Sequence, residues 1–234
     1  MTKKKYSISI ILPILNEINS LKKTLLILNK IQIEKEYIII YSNKLTNITV
    51  KKEIYNLKKK YKNLRYFKQK KPFVGGAIDL GIIKAQKKYI AIMASDMETN
   101  PYELKKMINI SSKNLDSIVS ADRWISNKGF SDYGLIKFLA NFMFQKLLKF
   151  FFNYKILDFT FAYRVYPKNA LKGHRINELR HGFALELLLV PMKKKFNVIT
   201  VPAKWKKRVE GYSSITIKSY FSYLKVFWRN LWFI

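Results

Sequence analysis

Short, strongly apolar runs alternate along the chain with longer stretches in which lysines interrupt the apolar residues at helical spacing. Residues 6–12 (YSISIIL), 36–42 (EYIIIYS) and 89–94 (YIAIMA) are rich in β-branched residues and too short for buried helices, so they read as strands. Residues 17–31 set Leu21, Leu25, Leu26 and Leu28 among lysines, the pattern of a helix with one apolar face. A lysine-rich helix is expected over 48–63, a short strand over 64–69, and a helix entered through glycines over 74–86. Strand and helix in alternation predict an α/β fold with a mostly parallel sheet covered on both faces. Ligands of such sheets bind beyond the carboxyl ends of the strands. Pro13–Glu17, Tyr41–Lys44 and Asp96–Glu98 all fall at such ends and should converge.

The second half has another texture. Residues 133–157 form an aromatic-rich helical pattern punctuated by Lys137, Lys146, Lys149 and Lys155. A strand with a turn is expected over 158–167, an apolar helix over 181–195, and a strand leaving the core over 198–208. The last residues are amphipathic and end in Trp, Phe and Ile. No internal repeat and no linker-like stretch appears, so the expected organisation is one domain over 1–216 and an amphipathic tail over 217–234.

Composition narrows the possibilities. With 49% hydrophobic and 15% aromatic residues in 234, the chain can bury a full core, which excludes a disordered protein. The absence of cysteine excludes disulfides, thiolate zinc sites and cysteine nucleophiles, and it fits a reducing compartment. A surplus of 45 basic over 15 acidic residues gives a net charge of +30. Part of that surplus follows from a bias toward Lys, Ile, Asn, Tyr and Phe, but the surface still attracts polyanions. The basic residues lie on many elements without a recognition motif, so no specific nucleic-acid partner is expected. No apolar run reaches the roughly 18 residues of a membrane-spanning helix. The first residues lack a small-x-small cleavage pattern and read as a first strand. Lysines set among Trp, Phe and Leu in 133–157 and in the tail describe helices lying in a membrane interface. The expected location is therefore the cytoplasmic face of a membrane, with an anionic lipid surface and a membrane protein as candidate partners.

Candidate chemistry centres on "MASDMETNP". Asp96 and Glu98, one residue apart at a strand exit, offer oxygen ligands to a hard divalent cation that bridges the phosphates of a nucleotide. The same acids could also serve only as helix caps. His174 and His181 have no acid or second His at ligand spacing and read as structural.

Five segments in order, "SIILPILNE", the Gly-rich helix start, "YIAIMASDMETNP", "DFTFAYRVYP" and "GFALELLL…VPAKWKKRVEGYSS", carry a resemblance over roughly residues 6 to 216. The chain resembles glycosyltransferase family 2 enzymes of the GT-A fold, in particular the dolichol-phosphate mannosyltransferase-like branch. That resemblance implies a Rossmann-like central sheet and sugar transfer from a nucleoside-diphosphate sugar to a polyprenyl phosphate or other lipid-linked acceptor, with inversion and with Mg²⁺ or Mn²⁺. It implies that Pro13, Asn16 and Glu17 lie against the base and ribose, and that Asp96 and Glu98 bind the metal. Arg208, Gly211 and Ser213 would close over the donor diphosphate. Arg123 and Arg164 would serve substrate binding, and Asp158 or Glu186 would take the proton of a hydroxyl acceptor. Ala94 stands where the family has the first acid of D-x-D, and "YSNK" (41–44) where it has base-side acids; Lys44 is a candidate donor contact instead. Leu188 replaces a second acid two residues after Glu186. The departures leave room for a transferase acting on a polysaccharide or glycolipid hydroxyl, or for a non-catalytic relative that binds a membrane or a protein partner.

Overall fold

The computed structural model describes residues 6–126, 129–130, 134–152, 158–211 and 217–231. The elements in chain order are β1 (Ser7–Ile14), α1 (Ile18–Asn29), β2 (Glu34–Ser42), α2 (Ile48–Lys60), β3 (Leu64–Gln69), α3 (Phe73–Lys84) and β4 (Tyr89–Ile92). They continue with α4 (Glu103–Lys113), β5 (Ser117–Asp122), α5 (Leu135–Phe152), β6 (Arg164–Pro167), α6 (Phe183–Lys193), β7 (Asn197–Pro202) and α7 (Ile217–Leu231), with a 3-10 turn at Lys168–Leu171. One seven-stranded sheet runs β3-β2-β1-β4-β6-β5-β7. Every neighbouring pair is parallel except those made by β6, which runs against both β4 and β5. The mostly parallel sheet is the expected one.

The apolar pattern sorts onto the two faces. Ile8, Ile10, Leu12 and Ile14 of β1 pack with Leu21, Leu25, Ile54, Leu104 and Met107, under α1, α2 and α4. Ile11 points the other way, with Ile38, Ile40, Ile78 and Phe183, under α3 and α6. Gly81 of α3 makes that second layer close: a Cβ there would stand 2.5 Å from Cγ2 of the fully buried Ile11.

Three expectations change. The elements α4 and β5 complete the sheet and go beyond the strands and helices expected from the pattern. The strand expected over 158–167 is reduced to Arg164–Pro167, because Asp158 and its neighbours turn inward to a buried arginine. The strand expected over 198–208 ends at Pro202, and residues 203–211 cross the carboxyl edge of the sheet as a strap. Within the expected tail, Val226 and Phe227 of α7 are buried against Leu148 and Phe152 of α5 and Leu185 and Leu189 of α6.

Candidate active site

The strands β2, β1 and β4 are adjacent and parallel, so their carboxyl ends open on one crevice. The three segments expected to converge do so. Ser95 donates to the carbonyl of Pro13 at 2.6 Å, fixing the exit of β4 to that of β1. Asn16 donates from Nδ2 to the Leu45 carbonyl at 3.3 Å and accepts from Asn47 N–H at 2.9 Å, tying the β1–α1 turn to the loop after β2. Glu17 folds back to accept the N–H groups of Leu15 and Asn16 at 2.8 and 2.7 Å. It thereby satisfies the turn's own backbone, with its negative charge held near Asp96.

Asp96 and Glu98 face the same side of their loop, and the residue between them, Met97, is left-handed at φ 68°. A non-glycine residue in that region is strained, and such strain gathers where a loop must aim side chains. Both carboxylates meet Arg208: its Nη2 lies 3.2 Å from Asp96 Oδ2 and 2.8 Å from Glu98 Oε1, and its Nε donates to Glu98 Oε1 at 2.9 Å. Burial pushes the Asp96 carboxyl up to about 6, with the Glu98 charge adding to the rise and Arg208 opposing it. Ala94 leaves its position at the strand exit without a carboxylate. Among the described residues no three His, Cys, Asp or Glu side chains gather around one point. Two carboxylates are a donor set suited to a hard divalent cation, and such an ion would need further oxygen ligands from outside the chain.

The strap brings Arg208 here from the far edge of the sheet. Ala203 N–H donates to Asp122 O at 2.9 Å, Lys204 N–H to Glu103 Oε1 at 3.1 Å, and Trp205 bridges to Thr99. Glu210 then accepts from Ser20 N–H at 2.9 Å and Asn19 Nδ2 at 3.1 Å, at the start of α1, where unsatisfied amides favour an anion. Gly211 follows at φ 82°, and a Cβ there would press to 3.0 Å from Glu17 Cγ. Ser213 lies outside the described residues.

The other expected site residues have different surroundings. Asp158 is fully buried and accepts from Arg123 Nε at 2.7 Å, from Arg123 Nη2 at 3.0 Å, and from the N–H of Phe161 at 3.1 Å. Burial alone would raise its carboxyl, but Arg123 outweighs that and holds it below the usual range. Arg123 in turn stacks over Phe161 and Phe130, with centroids 4.7 and 5.0 Å away. Arg164, expected at the substrate, is instead sealed in the core and donates to Ser120 Oγ and Phe159 O, both at 2.9 Å, and to Ala184 O. Its guanidinium has no open side, so it braces β6 against α6. Glu186 is also buried. Burial would raise it, yet His174, the N–H groups of Asn177 and Glu178, and Arg229 bring it down to about 2. An acid so well satisfied is a poor proton acceptor. His174, read from sequence as having no acid partner, lies 3.0 Å from Glu186 Oε1. His181 stays structural: it meets Ser219 of α7 at 3.1 Å, and burial followed by Arg208 and Arg180 lowers it to about 4.

Two participants escape sequence reasoning. Glu210 meets Asn19 across 191 positions, and Gln145 joins Asp158 and Thr160 from a helix whose pattern reads as aromatic. Only the fold reports either contact.

The sequence profile of glycosyl transferase family 2 matches residues 9–175. The chain belongs to that family. Its solved neighbours share the GT-A fold at low identity. Glucosyl-3-phosphoglycerate synthase from Mycobacterium tuberculosis, in complex with Mn²⁺, uridine diphosphate and phosphoglyceric acid, is similar at 11% identity and TM-score 0.73, over 97% of this chain and 79% of that one. The same synthase with Mg²⁺ and uridine diphosphate is similar at 13% identity and TM-score 0.66, over 95% and 79%. None of the curated proteins matches the chain. The family-2 match ends at Arg175, so α6, β7, the strap and α7 lie beyond it.

Proposed function

We propose that this family-2 glycosyltransferase moves a sugar from a nucleoside-diphosphate sugar to an acceptor bearing a phosphate, a polyprenyl phosphate in the dolichol-phosphate mannosyltransferase-like manner. The observation that carries this reading is the meeting of Asp96, Glu98 and Arg208 at the mouth of the β1–β4 crevice. Asp96 and Glu98 would hold Mg²⁺ or Mn²⁺, which when bound offsets the charge of the departing diphosphate. The Arg208 fork suits two phosphate oxygens, and Gly211 lets the strap lie close to Glu17. Pro13, Asn16 and Glu17 form the wall on which base and ribose would rest.

A phosphate acceptor needs no general base, because it is already ionised at neutral pH. The engagement of Asp158 and Glu186 by arginines, His174 and backbone amides favours that kind of acceptor over a hydroxyl. The solved neighbour complexed with phosphoglyceric acid supports an acceptor that carries anionic charge. The lipid part of the proposal rests on α5 and α7. Ile136 (84% exposed), Phe150 (80%), Phe221 (62%) and Trp228 (60%) face solvent among Lys137, Lys146, Lys149, Lys218 and Lys225. The helices pack on each other through Phe151 and Phe227, 5.3 Å apart. No helix among the described residues is long and apolar enough to cross a membrane, so the outer faces would lie on an anionic bilayer. In this division, residues 1–216 form the transferase domain and 217–234 complete its membrane face.

The test is thermal stabilisation by UDP-, GDP- and dTDP-sugars with and without Mn²⁺, followed by sugar transfer to polyprenyl phosphate and to phosphoglycerate. A ligand at 100 times its dissociation constant adds about 2.7 kcal/mol. Stabilisation that requires metal and is lost in Asp96→Asn supports the transferase and identifies the donor base. Ala94 and the missing base-side acids favour one second reading, a module without catalysis. It gains if no nucleotide stabilises the folded protein.

A further inference from the structure

The proposed function gives Arg208 to a donor diphosphate and Asp96 and Glu98 to a metal, yet the Arg208 guanidinium sits on those two acids. A fork of N–H donors on two converging carboxylates occupies the electrostatic position of a divalent cation. Both cannot be accommodated at full strength, because each draws on the same oxygen lone pairs. The arrangement is built rather than incidental. Arg208 and Asp96 are largely buried, with side chains 16% and 9% exposed, and the strap is fastened on both sides of them. Lys206 N–H donates to Glu98 O at 3.4 Å before Arg208, and Glu210 clasps Ser20 and Asn19 after it. Glu210 thus lays a carboxylate on the Ser20 N–H in the first turn of α1, which borders the crevice where an anionic donor would enter.

We propose that Arg208 is a built-in counter-cation that competes with the divalent metal for Asp96 and Glu98, so that metal binds well only when the donor diphosphate draws Arg208 away. This inference rests on the metal reading of Asp96 and Glu98. It makes the strap over 203–211 a latch that couples metal and donor binding. The loss of the acid at Ala94 strengthens the need for such coupling: two carboxylates shared with an arginine hold a bare cation weakly, and the diphosphate supplies both the missing oxygens and a new partner for Arg208. Coupling of this kind is reciprocal, so the metal raises donor affinity by the factor by which the donor raises metal affinity.

The test measures Mn²⁺ binding to the full chain by electron paramagnetic resonance, without nucleotide and with UDP. Wild type is expected to bind Mn²⁺ weakly alone and much more tightly with UDP. Arg208→Gln should bind Mn²⁺ alone about tenfold more tightly than wild type, the equivalent of losing one charge-assisted contact. The UDP-dependent gain should shrink in that variant. Lys206→Gln removes the same charge from an exposed position of the strap and should leave Mn²⁺ affinity nearly unchanged, separating competition from bulk charge. Glu210→Gln weakens the clasp without touching the acids and should shift Mn²⁺ affinity the same way as Arg208→Gln, by less. It keeps the question decidable if Arg208→Gln fails to fold. Equal or weaker Mn²⁺ binding in both Arg208→Gln and Glu210→Gln overturns the latch. Asp96→Asn then separates the two failures: if it abolishes Mn²⁺ binding, the metal site stands and only the competition is refuted. If Asp96→Asn binds Mn²⁺ as wild type does, the metal reading falls and the latch falls with it.

Discussion

At the scale of single residues, burial decides what each charged group can do. Asp158 and Arg123 form an ion pair with almost no exposure, so removing one partner strands the other in the core. Arg123→Met should destabilise the fold by about 3–5 kcal/mol, measured by denaturant unfolding, well beyond the effect of losing a substrate contact. Glu186 sets part of the acid response. Its carboxyl is held at about 2 against an ordinary 4.5, so its contribution is fully present above 4.5 and disappears as pH falls toward 2. Glu186→Gln should lose roughly 3 kcal/mol at neutral pH and flatten the stability curve in that window. His181 acts in a different window. Its ring is lowered to about 4 and stays neutral in the fold, so protonation of the unfolded chain costs stability as pH drops from 6.5 toward 4. Thermal melts of His181→Gln across that range should show a shallower decline than wild type.

At the scale of elements, close approach and exposure are the governing quantities. The contact of α3 with β1 depends on Gly81. Alanine there gains about 1 kcal/mol of helix propensity but drives its Cβ to 2.5 Å from a buried, branched Ile11. Overpacking of that kind costs about 1–3 kcal/mol, so Gly81→Ala should be destabilising on balance by chemical unfolding. The helix α7 carries two apolar faces. Val226 and Phe227 are buried on α5 and α6, while Phe221, Leu224 and Trp228 point outward. Deleting the helix would therefore open the core, and the outward face must be tested by substitution. Replacing Phe221 and Trp228 with serine should preserve the melting temperature and reduce flotation with anionic vesicles, most clearly at high salt, where lysine attraction is screened.

At the scale of the whole molecule, the net charge of +30 and the single sheet act together. A surface this basic attracts polyanions of any kind without distinguishing them. Discrimination falls to the crevice, where acids are few and each is engaged. Association with vesicles should weaken as salt rises but persist in part, because a charge-driven component is screened and an inserted apolar component is not. Complete loss of vesicle binding at high salt would mean that the proposed membrane contact is one of charge alone.

The pattern of apolar runs and lysine-spaced helices determined the alternating first half and the convergence of Pro13–Glu17, Tyr41–Lys44 and Asp96–Glu98. Strand ends are set by local periodicity, and parallel neighbours place those ends together. The same pattern left α4 and β5 unread, although Leu104, Met107, Ile108 and Ser111 recur at helical spacing on the buried face of α4. The reversal of β6, the burial of Arg164 and the partnership of His174 with Glu186 depend on which elements become neighbours, and no local spacing encodes that. Above all, only the tertiary structure put Arg208 on Asp96 and Glu98, more than a hundred positions away, because the strap crosses the sheet edge and Glu210 reaches α1. Residue types can mark a chain as able to bind metal and phosphate; which charge occupies the acids is decided by the path of the backbone.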